Sequence, residues 1–305
     1  MNILFSSDDN YAQHLGVLIY SLLSANAEAG PIDLYVIDNE ISETNRIKIE
    51  SVVGYFSNAT VTFIPFKKWR NSLTLDLAWD ISLSAYGRLF VGSILPQNVD
   101  RVIYLDCDMI VRNSLNQLWS ADIGQYIIAA VQDDVTDGTK AAVSLRPEEQ
   151  YFNSGMLLID LKKWREQKIE DKCLAFIKER NGRVIHHDQG VLNGVFCNNW
   201  YRLPVECNLM TIHYMFNRKQ ILKYYGEHSE FYSESDIAGA KESPVILHFT
   251  PSFTSRPWVR GCKHPLQSLY WKTLSQTPWA GAKPQKDKSK WYIKLINLRY
   301  RLLPF

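Results

Sequence analysis

The chain has 305 residues, of which 46% are hydrophobic and 22% charged, the composition of an ordinary globular protein. Its net charge of +2 is unevenly distributed, since residues 283–305 hold seven Lys or Arg and one Asp, and the rest of the chain carries −4. The acidic balance of residues 1–282 excludes a general polyanion binder, and we expect no nucleic-acid partner. Five cysteines without CxxC spacing argue against a disulfide framework and a zinc site.

The N-terminal apolar run is interrupted by Asp8 and Asp9, which is too early for a signal peptide. No later segment offers the run of about 18 apolar residues that a membrane-spanning helix needs. The cysteines are expected to be reduced thiols. Together these features predict a cytoplasmic protein.

The first 65 residues alternate between strand and helix patterns. Strands are predicted at residues 2–6, 33–37 and 60–64, and helices at 11–25 and 42–53. Ser42 is placed to cap the second helix, with Asn45 at the capping-box position. A βαβαβ order predicts a parallel sheet, and ligands of such sheets lie beyond the carboxyl ends of the strands.

The chain is organised around residues 101–112, where a strand runs into two carboxylates, Asp106 and Asp108. In an extended segment alternate side chains project to the same side, and two such carboxylates repel each other unless a cation lies between them. The pattern alone leaves a metal site and a pair of turn or capping aspartates about equally open. Asp8 follows the first strand, so we expect both acidic clusters in one cleft.

The alternation continues to about residue 200 and then weakens. Further helices are predicted at residues 114–119, 161–180 and 191–196, and further strands at 126–131, 151–160 and 245–249. Asp133 and Asp134 open a polar loop that reaches about Gln150, a length typical of a functional or mobile loop.

Six ordered motifs resemble glycosyltransferase family 8, whose members are retaining enzymes of the GT-A fold, typified by bacterial lipooligosaccharide galactosyltransferases. The motifs are Phe5–Tyr11, Tyr86–Leu89, Tyr104–Asp108, Phe152–Gly155, His187–Gln189 and His248–Thr250. One D-x-D motif is weak evidence, whereas six in order are strong. The resemblance implies a Rossmann-like α/β domain with a mainly parallel central sheet over residues 1–282, followed by a basic tail at 283–305.

The resemblance also implies a metal site and a donor site. Asp106 and Asp108 match the metal-binding D-x-D motif, His248 matches the histidine that completes the coordination, and manganese is the usual ion. A divalent cation offsets the charge that develops on the leaving diphosphate of a UDP-sugar. The implied donor-binding residues are Asp8, Asn10, Tyr11, Arg88, Asp106, Asn153, Asp188 and Arg256.

Gln189, Asp188 and Asn153 match the residues that face the reacting sugar in the family. An amide is a poor nucleophile, so the Gln189 carbonyl is expected to stabilise positive charge on the sugar while the acceptor attacks from the front, with the leaving diphosphate taking its proton. Either Asp133 or Asp134 is expected near the acceptor, and the sequence does not choose between them.

The resemblance predicts a retaining transferase that moves galactose or glucose from a UDP-sugar to a glycan acceptor with an α linkage. One run departs from the family pattern: Pro251 replaces a Gly, Arg256 replaces a Lys, and two residues are inserted before Trp258. The alternatives are an inactive nucleotide-sugar-binding partner of another transferase and a sugar-nucleotide pyrophosphorylase. The latter needs a Gly-rich phosphate loop where this chain has Ser6–Tyr11.

Residues 291–305 mix aromatic, aliphatic and basic side chains at near-helical spacing. The mixture predicts an interfacial helix that places the protein peripherally on an anionic membrane, at its inner face. The alternative is that Trp291, Leu295, Leu298 and Leu302 dock on the body of the protein.

Overall fold

The computed structural model describes residues 1–76, 83–226, 230–251 and 253–287. Within these ranges the strands are β1 (Asn2–Asp8), β2 (Ile32–Asn39), β3 (Ala59–Pro65), β4 (Arg101–Leu105), β5 (Met109–Val111), β6 (Ile128–Asp133), β7 (Tyr151–Asp160), β8 (Tyr201–Arg202), β9 (Leu209–Met210) and β10 (Ile246–His248). The predicted helix at 291–305 lies outside the described residues.

The helices of the same ranges are α1 (Ala12–Ala25), α2 (Glu43–Val53), α3 (Lys67–Arg70), α4 (Val91–Ile94), α5 (Asn116–Trp119), α6 (Asp137–Ala142), α7 (Leu161–Glu166), α8 (Ile169–Glu179), α9 (His187–Phe196), α10 (Thr211–Met215), α11 (Arg218–Tyr225), α12 (Glu234–Glu242) and α13 (Gln267–Leu274). Tighter 3₁₀ turns occur at Asp9–Tyr11, Leu83–Phe90 and Val205–Asn208. Among the described residues no helix has the length and apolar character to cross a bilayer.

The main sheet has seven strands in the order β3-β2-β1-β4-β7-β6-β8. Neighbours pair in parallel except at β7, which runs antiparallel to both β4 and β6. A second sheet joins β5, β10 and β9. The predicted α/β fold with a mainly parallel central sheet is therefore confirmed.

The middle of the main sheet is buried on both faces, which explains the apolar sequence of its central strand β4, whereas the edge strand β3 has no fully buried residue. Along β1 the side chains alternate: Ile3 and Phe5 join a core with Leu15 and Leu18 of α1, while Leu4 joins the core on the other face. Each large apolar side chain buried in this way contributes about 1.5–3 kcal/mol. Packing on both faces therefore holds the ends of the central strands in place.

Asp106 and Asp108 lie in the turn where the chain passes from the main sheet to the second sheet. The Asp106 N–H donates to the Gly155 carbonyl at 2.8 Å, and the Asp108 carbonyl accepts from the Phe249 N–H at 2.9 Å. The two side chains converge as predicted, but a turn brings them together rather than the alternation of an extended strand.

One predicted helix, residues 161–180, is wrong as a single element. It breaks into α7 and α8 at Lys168, which adopts a left-handed conformation with φ of 52°. Trp164 and Ile169 are both almost fully buried, yet five residues apart on one helix they would point about 140° away from each other. The break allows both side chains to enter the same core.

Candidate active site

A cleft of about 450 Å³ opens at the carboxyl ends of β1 and β4. Because these strands are parallel neighbours, Asp8 and Asp106 reach the same edge of the sheet, as the sequence predicts. The predicted site residues that line the cleft are Asp8, Tyr11, Arg88, Asp106, Asp108, Asp133, Asn153, Asp188, Gln189 and Arg256. Three others do not line it: Asn10 is exposed in the turn after β1, Asp134 is buried, and His248 is buried behind Asp108.

Asp106, Asp108 and His248 each direct one ligand atom to a common point, with these atoms within 4.8 Å of one another. The His248 Nε2 atom lies 3.1 Å from Asp108 Oδ1. Gly155 leaves room for this group, because a Cβ atom there would lie 2.4 Å from His248 Cε1 and 2.9 Å from Asp106 Oδ2. Two carboxylates and one imidazole fit a divalent cation that accepts oxygen and nitrogen ligands.

Two arginines balance the charge of the aspartates. Arg88 is 4% exposed and forms ion pairs with Asp106 at 2.6 Å and with Asp188 at 2.9 Å. Arg256 Nε lies 2.8 Å from Asp108 Oδ2. Burial alone would raise the pKa of Asp108, but Arg256 and His248 hold that pKa well below its usual range. The Asp108 side chain is therefore a carboxylate at neutral pH, the form that binds a metal.

A second polar group lies on the other side of the cleft. Asp133 Oδ2 accepts hydrogen bonds from Asn153 Nδ2 and from Gln189 Nε2, each at 3.2 Å. Gln189 Oε1 in turn accepts from the Ser154 N–H at 3.1 Å. These bonds fix which end of the Gln189 amide is the carbonyl, and that oxygen keeps a second lone pair. Burial raises the pKa of Asp133.

Asp188 links the two halves of the site. Its carboxyl is 5% exposed and pairs with Arg88, which also holds Asp106. Burial raises the pKa of Asp188 to about 6, although Arg88 opposes the shift. Arg88 thus joins Asp106 and Asp188 in one series of ion pairs. Ser154 connects Asp188 with Gln189, since its hydroxyl donates to Asp188 Oδ2 at 3.4 Å and its N–H donates to Gln189 Oε1 at 3.1 Å.

The turn before α9 directs Asp188 and Gln189 into the cleft. His186 and His187 both have positive φ, 56° and 53°, a conformation that costs a non-glycine residue on the order of 1–3 kcal/mol. Gly190 permits the tight approach, because a Cβ atom there would lie 1.9 Å from the Ile185 carbonyl oxygen. Backbone strain of this kind is typical of functional sites.

Asn208 is a site residue that the sequence reasoning missed. It is completely buried; its Nδ2 donates to Asn153 Oδ1 at 2.9 Å, and its Oδ1 lies 3.0 Å from His248 Nδ1. This contact leaves the His248 Nε2 atom to face Asp108, the arrangement in which an outer residue orients a metal ligand. Asn208 stands in a segment without a clear pattern, and no motif points to it.

Residues 2–262 match the family described as Glycosyl transferase family 8. General stress protein A of Bacillus subtilis is 31% identical over 282 residues, which are 92% of this chain and 94% of that protein. Lipopolysaccharide 1,2-glucosyltransferase of Escherichia coli is 26% identical over 95% of this chain and 82% of its own length.

The fold is similar to that of the galactosyltransferase LgtC, whose crystal structure contains donor and acceptor sugar analogs. The two chains superpose with a TM-score of 0.74 and 27% identity, over 91% of this chain and 96% of LgtC. The family match spans most of the sequence and includes every residue that lines the cleft. The resemblance of the six motifs is confirmed, and the chain belongs to glycosyltransferase family 8.

Proposed function

We propose that this glycosyltransferase is a retaining hexosyltransferase that moves galactose or glucose from a UDP-sugar to a glycan acceptor with an α linkage. The observation that carries the proposal is the meeting of two groups in one cleft. Asp106, Asp108 and His248 form the first group. Asp133, Asn153 and Gln189 form the second, and Asp188 is connected to the first through Arg88. The names of the E. coli protein and of LgtC, a glucosyltransferase and a galactosyltransferase, support a hexose donor.

The metal of the proposed reaction is manganese, held by Asp106, Asp108 and His248. Bound there, a divalent cation offsets the negative charge that develops on the diphosphate as the glycosidic bond breaks. Arg256 is placed to add a second positive charge, because its guanidinium already faces Asp108 and its side chain is 28% exposed. A guanidinium suits diphosphate oxygens through its planar set of donors.

The uridine is proposed to lie against the start of the chain. Asp8 Oδ1 accepts from the Tyr11 N–H at 3.2 Å, which leaves the other carboxylate oxygen to accept the uracil N–H. Tyr11 supplies a ring for stacking on the base. Asn10 is exposed beside them, so we place its contact at the rim of the pocket.

Arg88 is proposed to act through its neighbours rather than by contact with the diphosphate. Its Nε binds Asp188, its Nη2 binds Asp106 and its Nη1 donates to the Ser154 carbonyl. With its donors engaged in this way, the side chain fixes the distance between the metal-binding aspartates and Asp188. A buried arginine whose three nitrogens each contact a fixed partner is well suited to this task.

The sugar is proposed to lie between Asn153, Asp188 and Gln189. The free lone pair of the Gln189 carbonyl faces the positive charge that forms at the anomeric carbon, and Asn153 and Asp188 bind sugar hydroxyls. The acceptor attacks from the same face that the diphosphate leaves, and the diphosphate takes the acceptor's proton. Asp133 is the acceptor-side carboxylate of this scheme, because it lines the cleft and Asp134 does not.

Proton NMR of donor turnover tests this proposal. With manganese and water as the acceptor, we expect UDP release from UDP-galactose or UDP-glucose. The control donors GDP-mannose and ADP-glucose should release little GDP or ADP. The released hexose should appear first as its α anomer, before mutarotation. A β anomer would contradict retention. UDP binding without any turnover would favour the inactive partner, and UDP-sugar synthesis from UTP and a sugar 1-phosphate would favour the pyrophosphorylase.

We further propose that the protein acts in the cytoplasm and that residues 291–305 bind the inner face of an anionic membrane, with each nearby Lys or Arg contributing about 1 kcal/mol. Gln285 pairs with the body, since its N–H donates to the Trp258 carbonyl at 2.8 Å and its carbonyl accepts from the Arg260 N–H at 2.9 Å. A truncation that spares this contact therefore ends at Asp287.

The full chain is expected to sediment with anionic vesicles at low salt and to be released at high salt, because salt screens the attraction. The chain ending at Asp287 should not sediment at either salt concentration, because the basic residues that bind the lipid are removed. Donor hydrolysis should be nearly equal in the two proteins. Vesicle binding by the truncated chain would place the membrane surface elsewhere. Aggregation of the truncated chain would instead assign the apolar side chains to the core.

A further inference from the structure

Four rings meet behind the proposed base pocket: Tyr11, His14, Trp258 and Tyr270, here called the aromatic cluster. His14 and Trp258 stack with centroids 3.7 Å apart and planes at 19°. Tyr11 stands nearly perpendicular to both, at 5.3 Å from His14 and 6.2 Å from Trp258. Tyr270 touches His14 at 5.8 Å and Trp258 at 5.2 Å. Tyr11 is the member that also lines the cleft.

A hydrogen-bond chain locks this cluster to helix α13. The Tyr270 hydroxyl lies 2.6 Å from His14 Nδ1 and accepts from Gln13 Nε2 at 3.1 Å. Burial lowers the pKa of His14 to about 3, so its imidazole is neutral at pH 7. A hydroxyl has one donor and two acceptor lone pairs, so it can accept from Gln13 and still form the hydrogen bond with His14 Nδ1 in either tautomer of the imidazole. The bond fixes the ring that stacks on Trp258.

The segment that supplies Tyr270 is closely fitted to α1. Trp279 packs on Gly16 so tightly that a Cβ atom there would lie 2.3 Å from its ring. Tyr270 and Trp279 lie beyond residue 262, where the match to the family ends. No family motif therefore accounts for them, although Tyr270 contacts His14 and Trp258, the two rings that pack on Tyr11.

The aromatic cluster also reaches the diphosphate side of the cleft. The Arg256 guanidinium lies 5.9 Å from the centre of the Trp258 ring, within the range of a cation–π contact, and its Nε pairs with Asp108. A shift of Trp258 would therefore change the position of Arg256 as well as that of Tyr11. One buried unit supports both contacts that the nucleotide is proposed to make.

We propose that His14 and Tyr270 are positioning residues for the nucleotide, which hold the rings of Tyr11 and Trp258 in the orientation that UDP requires. The inference rests on the proposed function, because it assigns the base to Tyr11. Helix α13 is then part of the donor site rather than a distant support of the fold. Its contribution falls on binding of the nucleotide and not on the reaction of the sugar.

Tyr270→Phe tests this assignment, because it removes one oxygen and keeps the ring. We expect the Kd of UDP with manganese, measured by calorimetry on the full chain, and the KM of the donor to rise at least fivefold, while kcat changes less than twofold. Tyr232→Phe is the matched control. It removes a buried hydroxyl that donates to the Leu203 carbonyl and accepts from the Gln132 N–H, away from the aromatic cluster.

Equal Kd values for Tyr270→Phe and Tyr232→Phe would overturn the assignment, and so would a loss confined to kcat. His14→Phe keeps a ring on Trp258 without the nitrogen and should reproduce the rise in Kd if Tyr270→Phe does not fold. If neither variant folds, the cluster belongs to the core alone and the assignment is wrong. A wild-type chain that binds no UDP would instead contradict the proposed function.

Discussion

Asp108→Asn is expected to lower the rate of donor turnover by a factor of about 1,000 or more, about 4 kcal/mol of barrier, while the fold survives. The carboxylate is buried at 6% exposure between His248 and Arg256, and the change removes its charge from the proposed metal site. The fold is expected to be kept, because the side chains of Asn and Asp have nearly the same volume. UDP release, far-UV circular dichroism and the melting temperature are the measurements.

Asp122→Asn is the matched control for this substitution. Asp122 is exposed, and its Oδ1 accepts from the Gly124 N–H at 2.8 Å, a bond that an Asn oxygen can keep. Its turnover should equal that of the wild type. If Asp108→Asn keeps more than about a tenth of the wild-type rate, which corresponds to a rise of less than about 1.4 kcal/mol in the activation barrier, Asp108 is not a ligand of the metal.

Gly155→Ala is expected to reduce turnover by about 100-fold or more, about 2.7 kcal/mol of barrier, although the residue carries no functional group. The added methyl would lie 2.4 Å from His248 Cε1 and 2.9 Å from both Asp106 Oδ2 and Asn153 Oδ1. These atoms belong to both polar groups of the cleft, so relief of the clash must displace ligands of the proposed metal. Manganese affinity and UDP release should fall together.

Gly239→Ala provides the comparison within the same chain. A Cβ atom on Gly239, in α12, would meet nothing within 4 Å, and a Gly-to-Ala change at a compatible position stabilises a protein by about 0.4–1 kcal/mol. Its turnover should be unchanged and its melting temperature slightly higher. Normal turnover in Gly155→Ala would show that the space beside His248 is not needed.

The features of the fold and the site that the sequence predicted are those that depend on residues close to one another in the chain. β7 begins and ends at the predicted residues, Tyr151 and Asp160, and nine of its ten residues are buried, in keeping with the buried strand that its sequence predicts. Ser42 caps α2 as predicted, since its side chain accepts from the Asn45 N–H. Asp8 and Asp106 share a cleft because strand direction follows from the βαβ order.

The parts that the sequence did not predict depend on contacts between distant segments. Asn208 bonds to Asn153 and His248, which are 55 and 40 residues away. His14 and Tyr270 are 256 residues apart and share one hydrogen bond. The left-handed turn at Lys168 is not marked by a Gly or Pro in the sequence. It results from the burial of both Trp164 and Ile169. Such features follow from packing, which single-sequence patterns do not contain.

The central claim is that Asp106, Asp108 and His248 hold a divalent cation for a UDP-sugar, and a manganese titration followed by electron paramagnetic resonance tests it most directly. The wild-type chain is expected to bind one manganese ion, with higher affinity when UDP is present, since the cation and Arg256 would share the diphosphate. Asp108→Asn should lose this binding. A wild-type chain that binds no manganese with UDP, or an Asp108→Asn chain that binds it equally well, would contradict the account.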